Sequence, residues 1–451
     1  MLDELSEALK TSRADFTDIR CERAWAATAA ARGKRVEGLT HARDAGGVVR
    51  CLVRGHGWGS VSFTGLHRLG EMVTRAWELA LAVQADPPPQ LAMVPARELD
   101  LARAPAQDPR GIPLGERRRL LDSLVGELYG MDRRIADLQL AVRDEVVERW
   151  YASSEGSRIH DLRSEGTISL AAVAREAGLT ACAVDSLAVR GGWDALQGRE
   201  GWVRTVGARA IALLGAGRPR PGEMPVVLDP GAAGAVIHAS LAHRLDGDCP
   251  APLRLGAVVG SALLTVGDDA SASPLRGTTA YDDEGSPAQP TVLIRSGVVV
   301  ARLHSRQSAG RTGEAPTGSA RAASFRHLPS ARVTNFYLAR GEGMRDDLLT
   351  GLRTGLYVSD VRAAAWDGER LVVTVGEGAM IRDGRLAEPV RDCVVRGSGA
   401  DWLGGIEGVA GDFQWNVAAS RCSRGVDGGV PVSDGASHLR IRRLQVGGVT
   451  A

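Results

Sequence analysis

The feature of the sequence that most constrains the fold is a run of glycine and proline at residues 215–222. It reads Gly-Ala-Gly-Arg-Pro-Arg-Pro-Gly. A regular helix or strand does not continue through such a run, because proline lacks a backbone N–H and glycine leaves the backbone unrestrained. The chain has 451 residues, which is too many for one ordinary domain. We therefore predict two domains, 1–205 and 222–451, on either side of this run.

The first of these parts combines strand and helix patterns. Short runs of strand-forming residues, separated by turn residues such as Gly33, predict an antiparallel meander with strands at 19–22, 25–31, 35–40, 48–53 and 58–63. Apolar residues at helical spacing predict helices over 66–84 and 113–138. Strand patterns follow at 140–151 and 158–168. This part is predicted to be an α/β domain with antiparallel strands and two helices.

The second part carries mostly strand and turn patterns around one apolar helix. A strand over 224–228 leads into that helix, which is predicted over 230–245. Later strands are predicted at 257–264, 291–294, 298–303, 355–361, 370–375, 379–382 and 438–446. The segment 305–330, rich in Ser, Arg, Gly and Ala, is either a mobile active-site loop or a plain surface loop. The whole chain is thus predicted to be α+β, with a strand-rich C-terminal domain.

Charge and composition exclude several classes of protein. The net charge of +1 does not provide the clustered basic excess of a nucleic-acid-binding protein. No apolar run reaches the roughly 18 residues of a membrane span, and the opening MLDELSEALK lacks the apolar stretch of a secretion signal. The six cysteines are dispersed, as is typical of a reducing compartment. These observations predict a cytoplasmic protein that binds neither nucleic acid nor membrane.

The apolar helix carries His238 and His243, which are candidate metal ligands. Zinc-binding histidines on a helix usually stand four positions apart and share one face. Here the spacing is five, which separates the side chains by roughly 140° on a regular helix. A one-residue π-bulge would bring them together, and such bulges favour functional sites. From the residues alone, a metal site and a pair of hydrogen-bonded core histidines both remain open.

Several further motifs follow this helix in a fixed order. The helix leads into Arg-Leu-Asp246-Gly-Asp, and later stretches read Tyr281-Asp-Asp-Glu-Gly-Ser-Pro, Thr317-Gly, Arg332-Val-Thr-Asn and Arg421-Cys-Ser-Arg-Gly. Together with residues 14–20 and 35–38, they resemble the TldD/PmbA family of zinc metallopeptidase-like proteins over nearly the whole chain.

The resemblance implies a metal site and a partner. Carried over to this sequence, the ligands are His238, His243 and Cys422. Two imidazoles and a thiolate suit Zn²⁺ or a similar divalent metal, and they leave a position for water or substrate. Family members of the TldD type pair with TldE (PmbA), a homologue without the ligands, and cut peptides in a central cavity. The resemblance therefore implies an oligomer, with a TldE-like homologue or with itself, that acts on peptides.

One position departs from the family pattern. The family has glutamate after the first histidine, as the expected general base, whereas this chain has Ala239. The catalytic residue is therefore unknown; Asp246 and Glu284, with the neighbouring Asp282 and Asp283, are candidates for a replacement. Three hypotheses follow: a hydrolase or transferase with redirected chemistry, a weakened subunit that supports a partner, or a non-catalytic peptide-binding protein. The bias of arginine over lysine is typical of high-GC bacteria. In such an organism a variant without the glutamate fits a specialised natural-product pathway rather than general peptide turnover.

Overall fold

The computed structural model describes residues 1–425 and 427–448, and these contain seven α-helices and 23 strands. The helices are α1 (Leu2–Leu9), α2 (Leu69–Ala82), α3 (Leu114–Met131), α4 (Glu200–Ala212), α5 (Pro230–Leu241), α6 (Arg306–Thr312) and α7 (Arg345–Leu349). The strands up to the predicted boundary are β1 (Phe16–Arg32), β2 (Arg35–Leu52), β3 (Trp58–Thr64), β4 (Glu98–Asp100), β5 (Ile135–Ser153), β6 (Arg158–Glu176) and β7 (Leu179–Arg190).

The remaining strands lie beyond Gly222 and are mostly short. They are β8 (Gly222–Leu228), β9 (Val266–Asp269), β10 (Pro290–Arg295), β11 (Val298–Val299), β12 (Ala320–Arg321), β13 (Ser330–Ala331), β14 (Asn335–Leu338), β15 (Thr354–Trp366), β16 (Arg370–Arg382), β17 (Arg385–Ser398), β18 (Ile406–Val409), β19 (Gln414–Trp415), β20 (Arg421–Cys422), β21 (Val430–Pro431), β22 (Ser433–Ala436) and β23 (Leu439–Gly448). The predicted α+β class is confirmed.

The N-terminal part is built on one seven-stranded sheet of order β3-β2-β1-β5-β6-β4, with β7 paired to β6. The prediction of several short strands before residue 53 is wrong, because they merge into two long ones, β1 and β2. These form a continuous antiparallel hairpin that turns at Gly33, whose φ is 56°. Turn-prone residues inside a long strand do not break it when both neighbouring strands supply backbone hydrogen bonds.

The two faces of this sheet differ in chemistry. Ile19 and Cys21 of β1 face the helices and are fully buried. The alternate residues Arg20 and Glu22 face the C-terminal part, where Arg20 donates to the Ser324 carbonyl at 2.8 Å. This period-two alternation places apolar side chains under the helices and charges on the opposite face.

Two helix predictions need correction at their ends. The first predicted helix is observed as α2 and the second as α3, which ends at Met131 rather than at 138. Asp132 has extended backbone angles, and β5 begins three residues later. Leu138 is therefore a buried residue of a strand. A buried leucine at this position is compatible with both the helical and the strand pattern of apolar residues, so the sequence did not distinguish them. β7 was not predicted at all.

The C-terminal part contains two six-stranded sheets with α5 between them and two small two-stranded sheets, β12–β13 and β20–β21. The six-stranded sheets have the orders β11-β10-β9-β14-β22-β19 and β17-β16-β15-β8-β23-β18. The helix packs on β15 of one sheet and on β14 and β22 of the other. It is apolar on all sides because it is covered on both faces, and Val236, Ile237 and Leu241 belong to the shared core.

Two predictions for this part are wrong. Residues 257–264 do not form a strand, and only an isolated bridge joins Val258 to Val298. Residues 305–330 are not a plain surface loop, because they contain α6 and β12. The side chains of Ser305 and Ser308 cap the start of α6, and Arg306 is fully buried. Burial of these polar residues depends on distant partners, which local composition does not reveal.

Two further findings concern membrane spans and the predicted domain boundary. Among the residues that the structure describes, no helix is long and apolar enough to cross a membrane. β8 begins at Gly222, the end of the glycine and proline run. The division into domains 1–205 and 222–451 stays a prediction.

Candidate metal centre

The start of α5 is fixed by its sequence. The Asp229 side chain accepts a hydrogen bond from the Ala232 backbone N–H at 2.7 Å, and Pro230 occupies the first helical position. Both are preferred at a helix N-terminus, because the cap pairs an otherwise free N–H and proline has none to lose. This start places His238 two turns into the helix.

His243 reaches His238 through a change of helix type. Regular α-helix ends at Leu241, whose φ is −127°, and residues Ala242–Arg244 form a 3₁₀ turn. The π-bulge considered from the sequence is therefore wrong, since the helix tightens rather than widens. The two imidazole rings lie 6.4 Å apart at an interplanar angle of 74°. The spacing of five is thus compatible with neighbouring rings.

Cys422 approaches the histidines from the other end of the chain. It lies on β20, which pairs with β21 through a loop containing Gly425, Gly428 and Gly429, all at positive φ. The side chain is 2% exposed, and its Sγ lies 3.8 Å from His243 Nε2. Burial raises the pKa of the Cys422 thiol, but hydrogen bonds from His238 and His243 more than offset this and lower it to about 6.

Asp434 holds His238 in place and was missed from the sequence. Its Oδ1 lies 2.6 Å from His238 Nδ1. Burial lowers the pKa of His238, but the adjacent carboxylate raises it well above its ordinary value. The only signal in the sequence is an acid twelve positions after Cys422, in a strand pattern. β22 runs parallel to β14, and that pairing brings Asp434 beneath α5.

The three donors fit zinc by their chemistry, although they are not gathered into a ready group. Within the described ranges, no set of three or more His, Cys, Asp or Glu side chains is positioned to hold a metal ion as it stands. The 3.8 Å between sulfur and nitrogen is nevertheless close to the roughly 3.6 Å expected for two ligands of one tetrahedral zinc. Because Asp434 engages Nδ1 of His238, Nε2 of that ring is left for a metal.

Comparison with known proteins identifies the family. The profile of the PmbA/TldA metallopeptidase C-terminal domain matches residues 221–448, that of the central domain matches 107–214, and that of domain 1 matches 17–80. The chain belongs to the PmbA/TldD family. The resemblance predicted from the sequence motifs is confirmed.

Several relatives of this chain are named metalloproteases. A metalloprotease of Synechocystis sp. is 31% identical over 447 residues, covering 98% of this chain and 96% of its own length. A zinc metalloprotease TldD homolog of Saccharolobus solfataricus is 26% identical over 336 residues, covering 73% of this chain and 75% of its own.

Solved structures share the fold. A Thermotoga maritima protein named for modulation of DNA gyrase superposes with a TM-score of 0.81 at 17% identity, covering 99% of this chain and 100% of its own. TldE from Thermococcus kodakarensis superposes with a TM-score of 0.76 at 16% identity, covering 99% of both chains. At these identities the likeness shows a common fold.

Ala239 follows the first histidine and lies against apolar side chains. Its methyl group packs on the core that surrounds α5, and its carbonyl accepts a hydrogen bond from Trp366 Nε1 at 3.1 Å. Because the side chain of Ala239 is a methyl group, it cannot accept a proton at the position that follows His238.

The other acids considered from the sequence have their own partners. Asp246 forms an ion pair with Arg424 and accepts the Asp248 backbone N–H at 2.8 Å. Glu284 accepts from Arg50 Nη1 and from the Arg306 backbone N–H, each at 2.7 Å. The structure does not bring Glu284 to the histidines, and it places Asp246 against the loop that follows Cys422.

The neighbours of Glu284 are similarly engaged. Asp282 accepts three backbone N–H groups, from Glu284 and Ser286 at 2.9 Å and from Ala320 at 3.0 Å. Asp283 faces Arg20 and Arg149. The Asp-Asp-Glu motif therefore shapes a turn and joins it to the N-terminal sheet.

Proposed function

We propose that this chain is a metal-dependent hydrolase, or a transferase derived from one, that acts on peptides or peptide-like natural-product intermediates. The observation that carries the proposal is the proximity of Cys422 Sγ to His243 Nε2 at 3.8 Å, with the ring of His238 6.4 Å from that of His243 and bonded to Asp434. Two imidazoles and a thiolate are a zinc donor set. A structural pair of core histidines could use the Asp434 carboxylate as a hydrogen-bond partner but would need no neighbouring thiolate.

Each residue has a definite task in this proposal. Asp434 accepts a hydrogen bond from Nδ1 of His238, which would leave Nε2 of that ring to hold a metal ion. Cys422 contributes a thiolate, which its histidine neighbours favour near neutral pH. Zinc bound by these residues would supply Lewis acidity for a substrate carbonyl or for water.

The general base of the proposed reaction is not identified. Ala239 cannot take a proton, and loss of a general base typically costs about 10²- to 10⁴-fold in rate. We favour redirected chemistry, in which substrate or a different residue handles the proton. Ala239 equally motivates a second candidate function, an impaired subunit or a non-catalytic protein that binds peptides for a partner.

A partner is part of the proposal. The fold shared with TldE supports an assembly with a TldE-like homologue or with a second copy of this chain. Light scattering of the purified chain, alone and with the homologue, measures this directly. A species of 47.5 kDa under both conditions would contradict it.

Metal content tests the proposal at its centre. Elemental analysis of the purified chain is expected to give about one zinc or similar ion per chain. Cys422→Ser and His238→Ala are each expected to lose it, whereas Cys182→Ser, a half-buried cysteine on β7, serves as the matched control and keeps it. Wild-type protein without metal after equilibration with zinc would overturn the proposal.

A further inference from the structure

A groove lies between the charged face of the N-terminal sheet and the C-terminal part. Its volume is about 330 Å³, which is at the lower end of the range for ligand pockets. Its floor consists of residues of β1, β2, β5, β6 and β7, and its opposite wall includes residues 322–324 and the β20–β21 hairpin. Arg421 lines the groove from that hairpin, one residue before Cys422.

The charge of the groove is predominantly positive. Seven arginines and four carboxylates line it. Several of these arginines are already paired: Arg149 with Asp161, Arg276 with Glu165, and Arg143 with Glu145. Arg163 also pairs with Asp161. Pairing of this kind leaves little free charge to attract a ligand.

Three lining arginines stand apart from this pairing. Within residues 1–425 and 427–448, no carboxylate oxygen lies within 4 Å of Arg43, Arg190 or Arg421. Arg190 donates to the Thr278 carbonyl at 2.6 Å, and Arg421 donates to two glycine carbonyls at 2.8 and 2.6 Å. Carbonyl groups orient a guanidinium but do not neutralise its charge.

The surroundings of Arg190 explain why it lacks a counter-ion. The residue directly across from it on β6 is Glu165, but both oxygens of that carboxylate accept from Arg276 at 2.7 Å. Burial lowers the pKa of Arg190, which means that its charged form is poorly solvated. An anion from outside would find two guanidiniums with free N–H groups on facing walls.

We propose that this groove selects acidic peptide segments, with aspartate or glutamate side chains of the substrate pairing with Arg190 and Arg421. This rests on the proposed function, because the peptide segment that the groove would hold belongs to the proposed substrate, and the hairpin that carries Arg421 also carries Cys422. Most arginines of the groove are paired with carboxylates, so its unpaired positive charge is confined to separated positions. A peptide, whose charges are separated, can match these positions, whereas a phosphate backbone carries continuous negative charge.

The test compares two labelled short peptides that differ only in carrying Asp and Glu or the amides Asn and Gln. Binding to the zinc-loaded full chain is followed by fluorescence anisotropy at about 0.15 M salt. The acidic peptide is expected to bind at least about tenfold more tightly, with an advantage that shrinks as salt rises. This comparison uses wild-type protein and needs no variant to fold.

Variants then locate the effect. Arg421→Gln and Arg190→Gln are each expected to remove most of the preference, with a much larger loss of affinity for the acidic peptide than for the amide peptide. Arg421→Lys should retain part of it. Arg385→Gln, an exposed arginine at the turn between β16 and β17, is the matched control. Circular dichroism confirms that each variant is folded.

The outcomes separate this inference from the proposed function. Equal binding of both peptides, binding of neither, or preferential displacement of the acidic peptide by a single-stranded oligonucleotide would overturn the acidic-peptide assignment. Metal content and peptide hydrolysis are measured on the same samples. If the chain prefers the acidic peptide but binds no zinc and hydrolyses no peptide, peptide selection by the groove is supported and the proposed hydrolase function is rejected.

Discussion

Two polar clusters of this chain differ in composition and in how their groups are paired. One is the metal centre, formed by His238, His243, Cys422 and Asp434. The other is the carboxylate cluster, formed by Asp283 and Glu284 with the arginines Arg20, Arg50 and Arg149. In the carboxylate cluster both acids have opposite charges in contact, with Arg50 Nη1 2.7 Å from Glu284 Oε1 and Arg20 Nη1 3.2 Å from Asp283 Oδ2.

The metal centre is arranged in the opposite way. Three groups that can each donate an electron pair to a metal lie together, and one carboxylate orients one of them. The difference teaches that buried charge alone does not indicate chemistry. A cluster of paired carboxylates and arginines fastens two parts of the fold together, whereas neighbouring imidazole and thiol groups carry electron pairs that can bind a further cation.

The largest effect is expected from breaking the carboxylate cluster. Asp283→Ala leaves Arg20 and Arg149 buried with fewer counter-ions, and losing one partner of a buried pair typically costs about 3–5 kcal/mol of unfolding free energy. Urea denaturation measures this loss. Asp346→Ala, which breaks an exposed pair with Arg345, is the control and should change stability by less than about 1 kcal/mol. If both variants lost only a small and similar amount of unfolding free energy, the carboxylate cluster would not be the structural fastening described above.

In the metal centre, removing the Asp434 carboxylate is expected to lower the affinity for zinc. Asp434→Asn keeps the shape of the side chain but weakens the hydrogen bond that orients His238. Partners of this kind typically contribute about 10- to 100-fold to metal affinity. Competition with a chelator measures the zinc dissociation constant, and unfolding in the presence of zinc reports any general damage. Unchanged zinc affinity would mean that Asp434 does not act through a metal ligand.

Acid should affect the carboxylate cluster through Asp283. Burial raises the pKa of this carboxyl, but Arg149 and Arg20 more than offset this and lower it to about 2. A lowered pKa stabilises the fold above the unfolded value of 3.8, and that contribution, about 2 kcal/mol, is lost as pH falls from about 4 to 2. The slope of stability against pH in this window should flatten in Asp283→Asn. An equally steep slope in that variant would assign the acid sensitivity elsewhere.

The smallest change is expected from Ala239→Glu. If the chain were a peptidase that had merely lost its base, this substitution would raise peptide hydrolysis by a large factor. We expect no gain, because the methyl group packs among apolar side chains that a carboxylate would disturb. Native activity should stay level or fall. Hydrolysis of a labelled peptide, with metal content checked first, decides the matter, and a large gain would show that the chemistry was damaged rather than redirected.

The elements of this fold were predictable where one local pattern dominates. The apolar periodicity of α2 and the Asp-Pro start of α5 locate these helices to within a few residues. The long hairpin of β1 and β2 was predicted as fragments, since strand continuity depends on the partners on both sides. Likewise, 305–330 was not recognised as a buried segment, because Arg306 and Arg321 are polar and only their distant partners explain their burial.

The sequence by itself determined the family, the α+β class and the presence of two histidines and a cysteine in matched positions, because these depend on residue order along the chain. Only the tertiary structure decided that a 3₁₀ turn, rather than a π-bulge, presents His243, and that Asp434 holds His238. It also showed that Glu284 pairs with Arg50, 234 positions away in the chain. Such contacts arise where sheets pack on helices, and their energies depend on burial and on the partner's position, neither of which is encoded in local spacing.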